Sequence, residues 1–502
     1  MGESTRSLPV RRIGRPEDLN LGLIDEVADR RCRLVLGPEL LAELAANRAG
    51  LLAALGGGQL VYGVNTGMGA FSGVRLDAAA QARHQDTLMA GRAVGSAPWL
   101  RRDEARAVLA ARLRTFLDPA AGVSPQLCEM LVRLLDLDVV PAVPARGSGA
   151  AGEIIPLAHV GAVLLGTGQV LDESGRAVDA GPALRAAGLA PRSFEAKEGV
   201  AFLEGVPGLT GLAIRAASAA RLLLPQIVFV SAVEQAVVGA SRDPLHPALG
   251  RGDDELSAVL AATLELRGDG PVRGLQAPVS FRVTAPALAV AMRAVGALEA
   301  AAHRALTTVT DSPAYVEGRF VGSAGFAGTD LAAACAGATT ALVHLAEVGT
   351  ARLHRLLDES RTGRPRQLSD APGQHAGMAT VHKRAVGVAH RLRRFTTPAL
   401  IGAMETSLGQ EDVQSFGFEA AECLREAVDG LRDVLACELL AVHQARLLGG
   451  RPAGSAAPVT GLLDEAAALL PEGTGDRPFG RDIDALIGLL RSGWARRSSE
   501  LW

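Results

Sequence analysis

A chain of 502 residues, 48% apolar and 21% charged, has ample material for a packed core, which excludes wholesale disorder. Its net charge of −3, from 51 basic against 54 acidic residues, comes without a basic block and excludes an electrostatic nucleic-acid footprint. Aromatic residues make up only 3%, too few for an all-β sandwich.

In chain order, the opening MGESTRSLPVRRIGRPEDLN has no apolar stretch of the kind a secretory signal needs. Gly- and Pro-rich punctuation falls at 63–73, 141–152, 204–210, 362–377 and 449–457. The uncharged apolar run from Leu222 to Val233 is 12 residues long and contains Pro225 and Gln226, too short to cross a bilayer. Long helical patterns then cover 286–308, 331–357 and 418–448. In the last, Ala421, Leu424, Val428, Leu431, Val434, Leu435, Leu439 and Val442 recur at three- and four-residue steps, and Glu422, Arg425, Glu426, Asp429 and Arg432 mostly take the other side. These patterns outlast the usual helix of about 8–20 residues. They predict an all-α fold, an elongated bundle of long central helices. An N-terminal region over 1–210 and a bundle with C-terminal helices over 211–502 are expected to form one continuous structural unit.

The cysteines (Cys32, Cys128, Cys335, Cys423 and Cys437) are odd in number and scattered, with no CxxC pair. Neither a disulfide framework nor a zinc site is expected, and a soluble protein of a reducing cytoplasm fits. No His/Asp/Glu group has metal-ligand spacing, and there is no P-loop and no strand-led GxGxxG. Only Lys197 and Lys383 are lysines among the 51 basic residues, the mark of a GC-rich codon bias.

Two loops carry a resemblance. The first is Val61-Tyr62-Gly63-Val64-Asn65-Thr66-Gly67-Met68-Gly69. The second runs from Val143 to His159 and contains Gly147-Ser148-Gly149-Ala150-Ala151-Gly152-Glu153 before Pro156-Leu157-Ala158-His159. Together they resemble the histidine/phenylalanine/tyrosine ammonia-lyase and aminomutase family, which reads YGVNTGFG and GSVGASGDLAPLAH there. Further matches follow in family order: Glu198-Gly199 before Gly205, Gln276 with Ser280 and Arg282, Thr310-Asp311 with Pro313, and Phe326-Ala327-Gly328. Pro372-Gly373, Gln410-Glu411-Asp412 and Asp476-Arg477-Pro478 complete the series.

The resemblance implies an all-α homotetramer whose active sites are assembled from three subunits. It also implies an electrophilic methylidene-imidazolone made from the chain's own Ala-Ser-Gly, a tyrosine base on the glycine-rich loop, and an arginine that holds the substrate carboxylate. The sequence departs from that pattern at the decisive place. Counted back from Pro156, the family's serine is Ala151, within Ala150-Ala151-Gly152, and the loop is one residue shorter. Alanine has no hydroxyl to lose, so no imidazolone is expected. The one alternative is cyclisation through Ser148, three residues too early. Val279 replaces the family's second tyrosine, Glu204 the asparagine of KEGLALLNG, Gly325 the asparagine of GGNFHG, and Arg92 the ring-reading histidine. Histidine ammonia-lyase chemistry is not expected.

The residues that remain suggest acid–base work. Tyr62 is a candidate base if Arg282 and Arg92 lower its phenol, or an idle inheritance. Arg282 can hold a carboxylate or an enolate oxygen, or be a structural ion pair. Glu204 and Glu411, mapped to one cavity, would push their pKa values apart and supply an acid and a base, or else serve as a solvent-facing and a capping residue. Arg92, Gln276, Phe326 and Gln410 fall at substrate-binding positions, though Phe326 also fits simple packing and Arg92 a solvated helix. His159 reads as a hydrogen-bonded core histidine. Three functions stay open. The first is an imidazolone-independent enzyme for elimination, addition, isomerisation or cyclisation on a carbonyl-activated, carboxylate-bearing small molecule, in specialised metabolism. The second is a silent paralogue serving as a partner subunit, and the third a small-molecule binder without turnover. No metal, nucleic-acid or membrane partner is expected.

Overall fold

The structure, a computed structural model, describes residues 8–450 and 457–496. It is 62% helix and 6% strand, so the all-α expectation holds. Among the described residues four helices exceed twenty residues: Pro207–Val238, Thr284–Thr307, Thr329–Leu356 and Gly417–Gly449. The last three match the periodic patterns at 286–308, 331–357 and 418–448 to within two residues. The first was hidden by Pro225, which removes one N–H from the helical ladder. The neighbouring Gln226 side chain donates to the Leu222 carbonyl at 2.9 Å and to the Leu490 carbonyl at 2.8 Å.

The chain divides into two compact units: Met1–Arg215 with Leu298–Cys335 and Pro398–Glu422, and Ala216–Ala297 with Ala336–Thr397 and Cys423–Trp502. The expected boundary at 210 lies near Arg215, but the first unit also recruits two downstream segments. A single cut in the sequence misses this because each long helix begins in one unit and ends in the other.

Run length also proves a poor measure of apolar helices. Glu198–Val238, Thr284–Thr307 and Gly325–Leu356 are each long and apolar enough to cross a membrane by length and composition. Scattered polar residues interrupt a run without lowering a helix's mean hydropathy much. The apolar windows of these stretches are 78%, 50% and 61% buried within the protein.

The first unit holds the short strands. Val10–Ile13 pairs in parallel with Arg33–Leu36, and Val140–Pro141, Gln169–Leu171 and Ala177–Asp179 form a small antiparallel sheet. Ala314–Val316 and Arg319–Val321 make a hairpin whose two turn residues, Glu317 and Gly318, both have positive φ, as a tight primed turn requires. Three helices pack on one another beside these: Ala78–Arg92, Ile154–Leu164 and Glu198–Leu203. The core of the second unit contains a closed ionic cluster. Arg352 donates to Glu234 at 2.6 Å, to Glu438 at 2.7 Å and to the Thr284 hydroxyl at 2.9 Å, with all three charged groups buried.

Candidate active site

A cavity of about 400 Å³ opens in the first unit, lined by Tyr62, Ala151, Gly152, Glu204, Gln410 and Glu411 together with Leu60, Ile154, Ser312, Phe320 and Phe326 among others. The loop bearing Tyr62 is shaped by its own polar side chains. Asn65 accepts from the Val61 N–H and donates to the Gln59 carbonyl, each at 2.7 Å, and Thr66 accepts from the Gly63 N–H at 3.3 Å. These are the asparagine and threonine of the YGVNTG signature, and they hold a turn that has no regular ladder of its own. Gln85, buried on the Ala78–Arg92 helix, fastens this loop to the next layer. Its amide donates to the Gly63 carbonyl at 3.0 Å and accepts from the Val200 N–H at 3.1 Å. Sequence reading passed over Gln85, because a helical glutamine gives no local sign of bridging two distant segments.

The Tyr62 hydroxyl accepts from the Gly69 N–H at 2.8 Å. Burial raises its pKa, with Glu204 and Glu411 adding to the rise and Arg92 partly offsetting it. Arg92, half-buried at the end of its helix and outside the cavity lining, thus couples to the acidic groups; burial lowers its own pKa and the three acidic neighbours oppose that. Arg92 lowers the phenol as expected, but by less than burial and the two glutamates raise it. Burial wins.

The Ala150-Ala151-Gly152 segment is a bend ahead of the Ile154–Leu164 helix. The Ala151 N–H donates to Glu411 at 2.9 Å. Glu411 also accepts from the Ser407 hydroxyl at 2.9 Å and the Thr406 hydroxyl at 3.3 Å, so three donors hold it in place. Ala151 presents a methyl group where an imidazolone would need a serine, so the residues lining the cavity do not fit that group. Ser148, half-buried, is not among the lining residues. Glu153 anchors the bend from below. Its buried carboxylate takes the Gly208 and Leu209 N–H groups at the start of the Pro207–Val238 helix, both at 2.5 Å, and burial moves its pKa to about 7.

Glu204 does not turn to solvent. It is 6% exposed, at the C-terminal cap of the Glu198–Leu203 helix, and burial pushes its carboxyl up to about 8 with help from Asp311 and Glu411, against Arg112 and Lys197. One cavity therefore contains a buried carboxyl group whose pKa is raised to about 8 and a second carboxyl group, Glu411, held by three donors. Gly325 also has a structural reason. A Cβ there would stand 2.6 Å from the Val309 carbonyl oxygen, so an asparagine does not fit.

Gln276 and Arg282 belong to the second unit and are not among the lining residues. Gln276 is exposed, and the half-buried Arg282 donates from Nε to the Ala277 carbonyl at 3.1 Å and stands in no ion pair among the described residues. His159 is a buried acceptor for the Gly95 N–H at 2.9 Å, as a core histidine would be. No group of three or more His, Cys, Asp or Glu residues able to hold a metal occurs among the described residues.

The family model for aromatic amino acid lyases matches residues 19–468. The histidine ammonia-lyase of Anaeromyxobacter sp. strain K is 30% identical over 499 residues, covering 95% of this chain and 98% of that one. The histidine ammonia-lyase of Streptomyces coelicolor is 31% identical, covering 93% and 94%. The tyrosine aminomutase of Streptomyces globisporus superposes with a TM-score of 0.90 at 26% identity, over 95% and 96% of the two chains. With its signature loops meeting at one cavity and its matches running nearly end to end, the chain belongs to the aromatic amino acid lyase family.

Proposed function

We propose that this chain is an ammonia-lyase-fold enzyme that works without an imidazolone, by acid–base chemistry in the Tyr62–Glu204–Glu411 cavity. The observation that carries this is the pairing, in one cavity, of a buried Glu204 whose pKa is raised to about 8 with a hydrogen-bonded Glu411 beside the methyl group of Ala151. A proton next to a carbonyl is acidic enough to be taken by a carboxylate without a covalent electrophile. In this reading Glu411 removes that proton and Glu204 donates one to the developing oxyanion or the leaving group. Tyr62 keeps its phenolic hydrogen and orients the substrate. The result is elimination, addition, isomerisation or ring closure on a small carboxylate-bearing substrate.

Gln276 and Arg282 enter this scheme only if another copy of the chain supplies them. The nearly full exposure of Leu275 (92%) and Leu408 (96%) supports assembly into the expected homotetramer. The reading is tested first by the intact mass of the denatured protein, expected to equal the mass calculated from sequence; a deficit of two waters would establish an imidazolone through Ser148 instead. Carbonyl-activated substrates are then screened. Glu204→Gln and Glu411→Gln are each expected to reduce turnover by at least about 100-fold, the ordinary worth of a general acid or base. No turnover, together with an active relative that co-purifies, would replace this reading by that of a silent partner subunit.

A further inference from the structure

We propose that Lys197, Asp311 and Arg112 are the positioning residues of Glu204, a buried charged frame that fixes its carboxyl group in the cavity and governs its proton. This rests on the acid–base reading above. It begins from an economy in the sequence: among 51 basic residues only two are lysines. At exposed sites arginine and lysine interchange at little cost, so codon bias can replace one by the other. A lysine that persists in the interior marks a position where the guanidinium does not serve.

Lys197 is such a position. It is fully buried, with φ of +71°, and caps the N-terminal end of the Glu198–Leu203 helix. Its ammonium donates to the Ala121 carbonyl at 2.7 Å and to one oxygen of Asp311. The other oxygen of Asp311 is buried with no hydrogen-bond partner among the described residues. The opposite end of the same six-residue helix is held by Arg112, also fully buried. Its guanidinium donates to the Ala201 carbonyl at 3.1 Å and to the main-chain carbonyl of Glu204. Glu204 is therefore the C-terminal cap of a short helix with a buried cation at each end, Lys197 as its N-terminal cap and Arg112 on its last carbonyls.

The turn that follows locks the frame to the cavity wall. Gly205 has φ of +88°, and a Cβ there would come within 2.9 Å of the Thr310 hydroxyl, one residue before Asp311. Asp311 in turn precedes Ser312 and Pro313, which line the cavity. The charges that face Glu204 from all sides are then Lys197 and Arg112, which favour its anion, and Asp311 and Glu411, which oppose it. Tyr62 and Arg92 couple to it from the cavity side. Lys197 and Asp311 act on it with opposite sign.

That opposition supplies the test. In the full-length protein, the infrared carbonyl band of protonated Glu204 is isolated as the difference between wild type and Glu204→Gln and followed across pH. The wild-type band is expected to persist at neutral pH and to vanish with a midpoint near 8. Asp311→Asn, which removes an anion, is expected to lower the midpoint by about one unit, and Lys197→Met, which removes a cation, to raise it by about as much. A purely structural role for the pair does not produce shifts of opposite sign. Unmoved midpoints, or two shifts in the same direction, overturn the proposal while leaving a protonated Glu204 in place. If Glu204→Gln removes no band at neutral pH, the acid–base reading itself fails. Should Lys197→Met not fold, the near-isosteric Asp311→Asn decides alone, and no shift there overturns the proposal.

Discussion

The two units each bury a cluster of charges, and the clusters differ in how their arginines are used. In the second unit Arg352 gives its donors to two carboxylates and a hydroxyl. Burial opposes its charge, but Glu438 and Glu234 outweigh that and raise its pKa. In the first unit Arg112 gives its donors to main-chain carbonyls, and burial wins, lowering its pKa to about 10. The first arrangement is closed: its charges are consumed by one another, and no lining residue of the cavity belongs to it. The second is open: Arg112, Lys197 and Asp311 leave charge to act on Glu204, which faces the cavity. Buried charge by itself says little about function; what matters is whether its partners lie inside the cluster or at a site.

Substitutions can break that contrast. The largest effect is expected at the closed cluster. Arg352→Ala would strand Glu234 and Glu438 in the core and cost about 3–5 kcal/mol, whereas replacing the three charged residues together by apolar side chains of similar volume would cost far less. Urea denaturation of the two variants measures the difference.

The open cluster predicts a pH signature of comparable but smaller size. Glu204 has a folded-state pKa raised to about 8 from an ordinary value of 4.5. Below about pH 4.5 both folded and unfolded states hold the proton and nothing is lost. As pH rises toward 8 the unfolded chain gives it up while the folded protein keeps it, so stability falls across that window. Glu204→Gln should therefore be more stable than wild type by about 2–4 kcal/mol at pH 8 and indistinguishable from it at pH 4.5. Parallel thermal melts at the two pH values decide the matter; equal melting-temperature differences at both would place the carboxyl in solvent.

Smaller effects test the scaffold around the open cluster. Gly325→Asn, which installs the residue the resemblance leads one to expect, forces a Cβ against the Val309 carbonyl and is expected to cost about 1–3 kcal/mol. Gln85→Leu removes both bonds that fasten the Tyr62 loop and leaves the Gly63 carbonyl and Val200 N–H unmatched, a loss of about 1–2 kcal/mol. Hydrogen exchange over residues 61–69 should accelerate in that variant while the Gly417–Gly449 helix stays protected.

Much of the molecule is legible in its sequence, for reasons that differ by residue. The long helices at 284–307, 329–356 and 417–449 announce themselves because one face must be apolar every three to four residues. Pro207–Val238 does not, since it is buried over most of its length rather than on one face and carries a proline in its interior. Tyr62, Glu204 and Glu411 are legible through their motifs, and the cavity brings them together. Arg282 and Gln276, marked by the same kind of signal, lie in the other unit. Gln85 and the hairpin residue Phe320 carry no signal at all, since what they do depends on what approaches them.

Composition, periodicity and two glycine-rich loops by themselves determined the helical class, the family and the absence of a hydroxyl at position 151. Those features are local: a side chain either has an oxygen or it does not, and a helix face repeats at a fixed step. The tertiary structure alone decided the burial of Glu204, the surroundings of Tyr62 and the partners of Lys197. A pKa is set by the water a group loses and by charges that reach it from residues such as Asp311 and Glu411, up to some two hundred positions away along the chain.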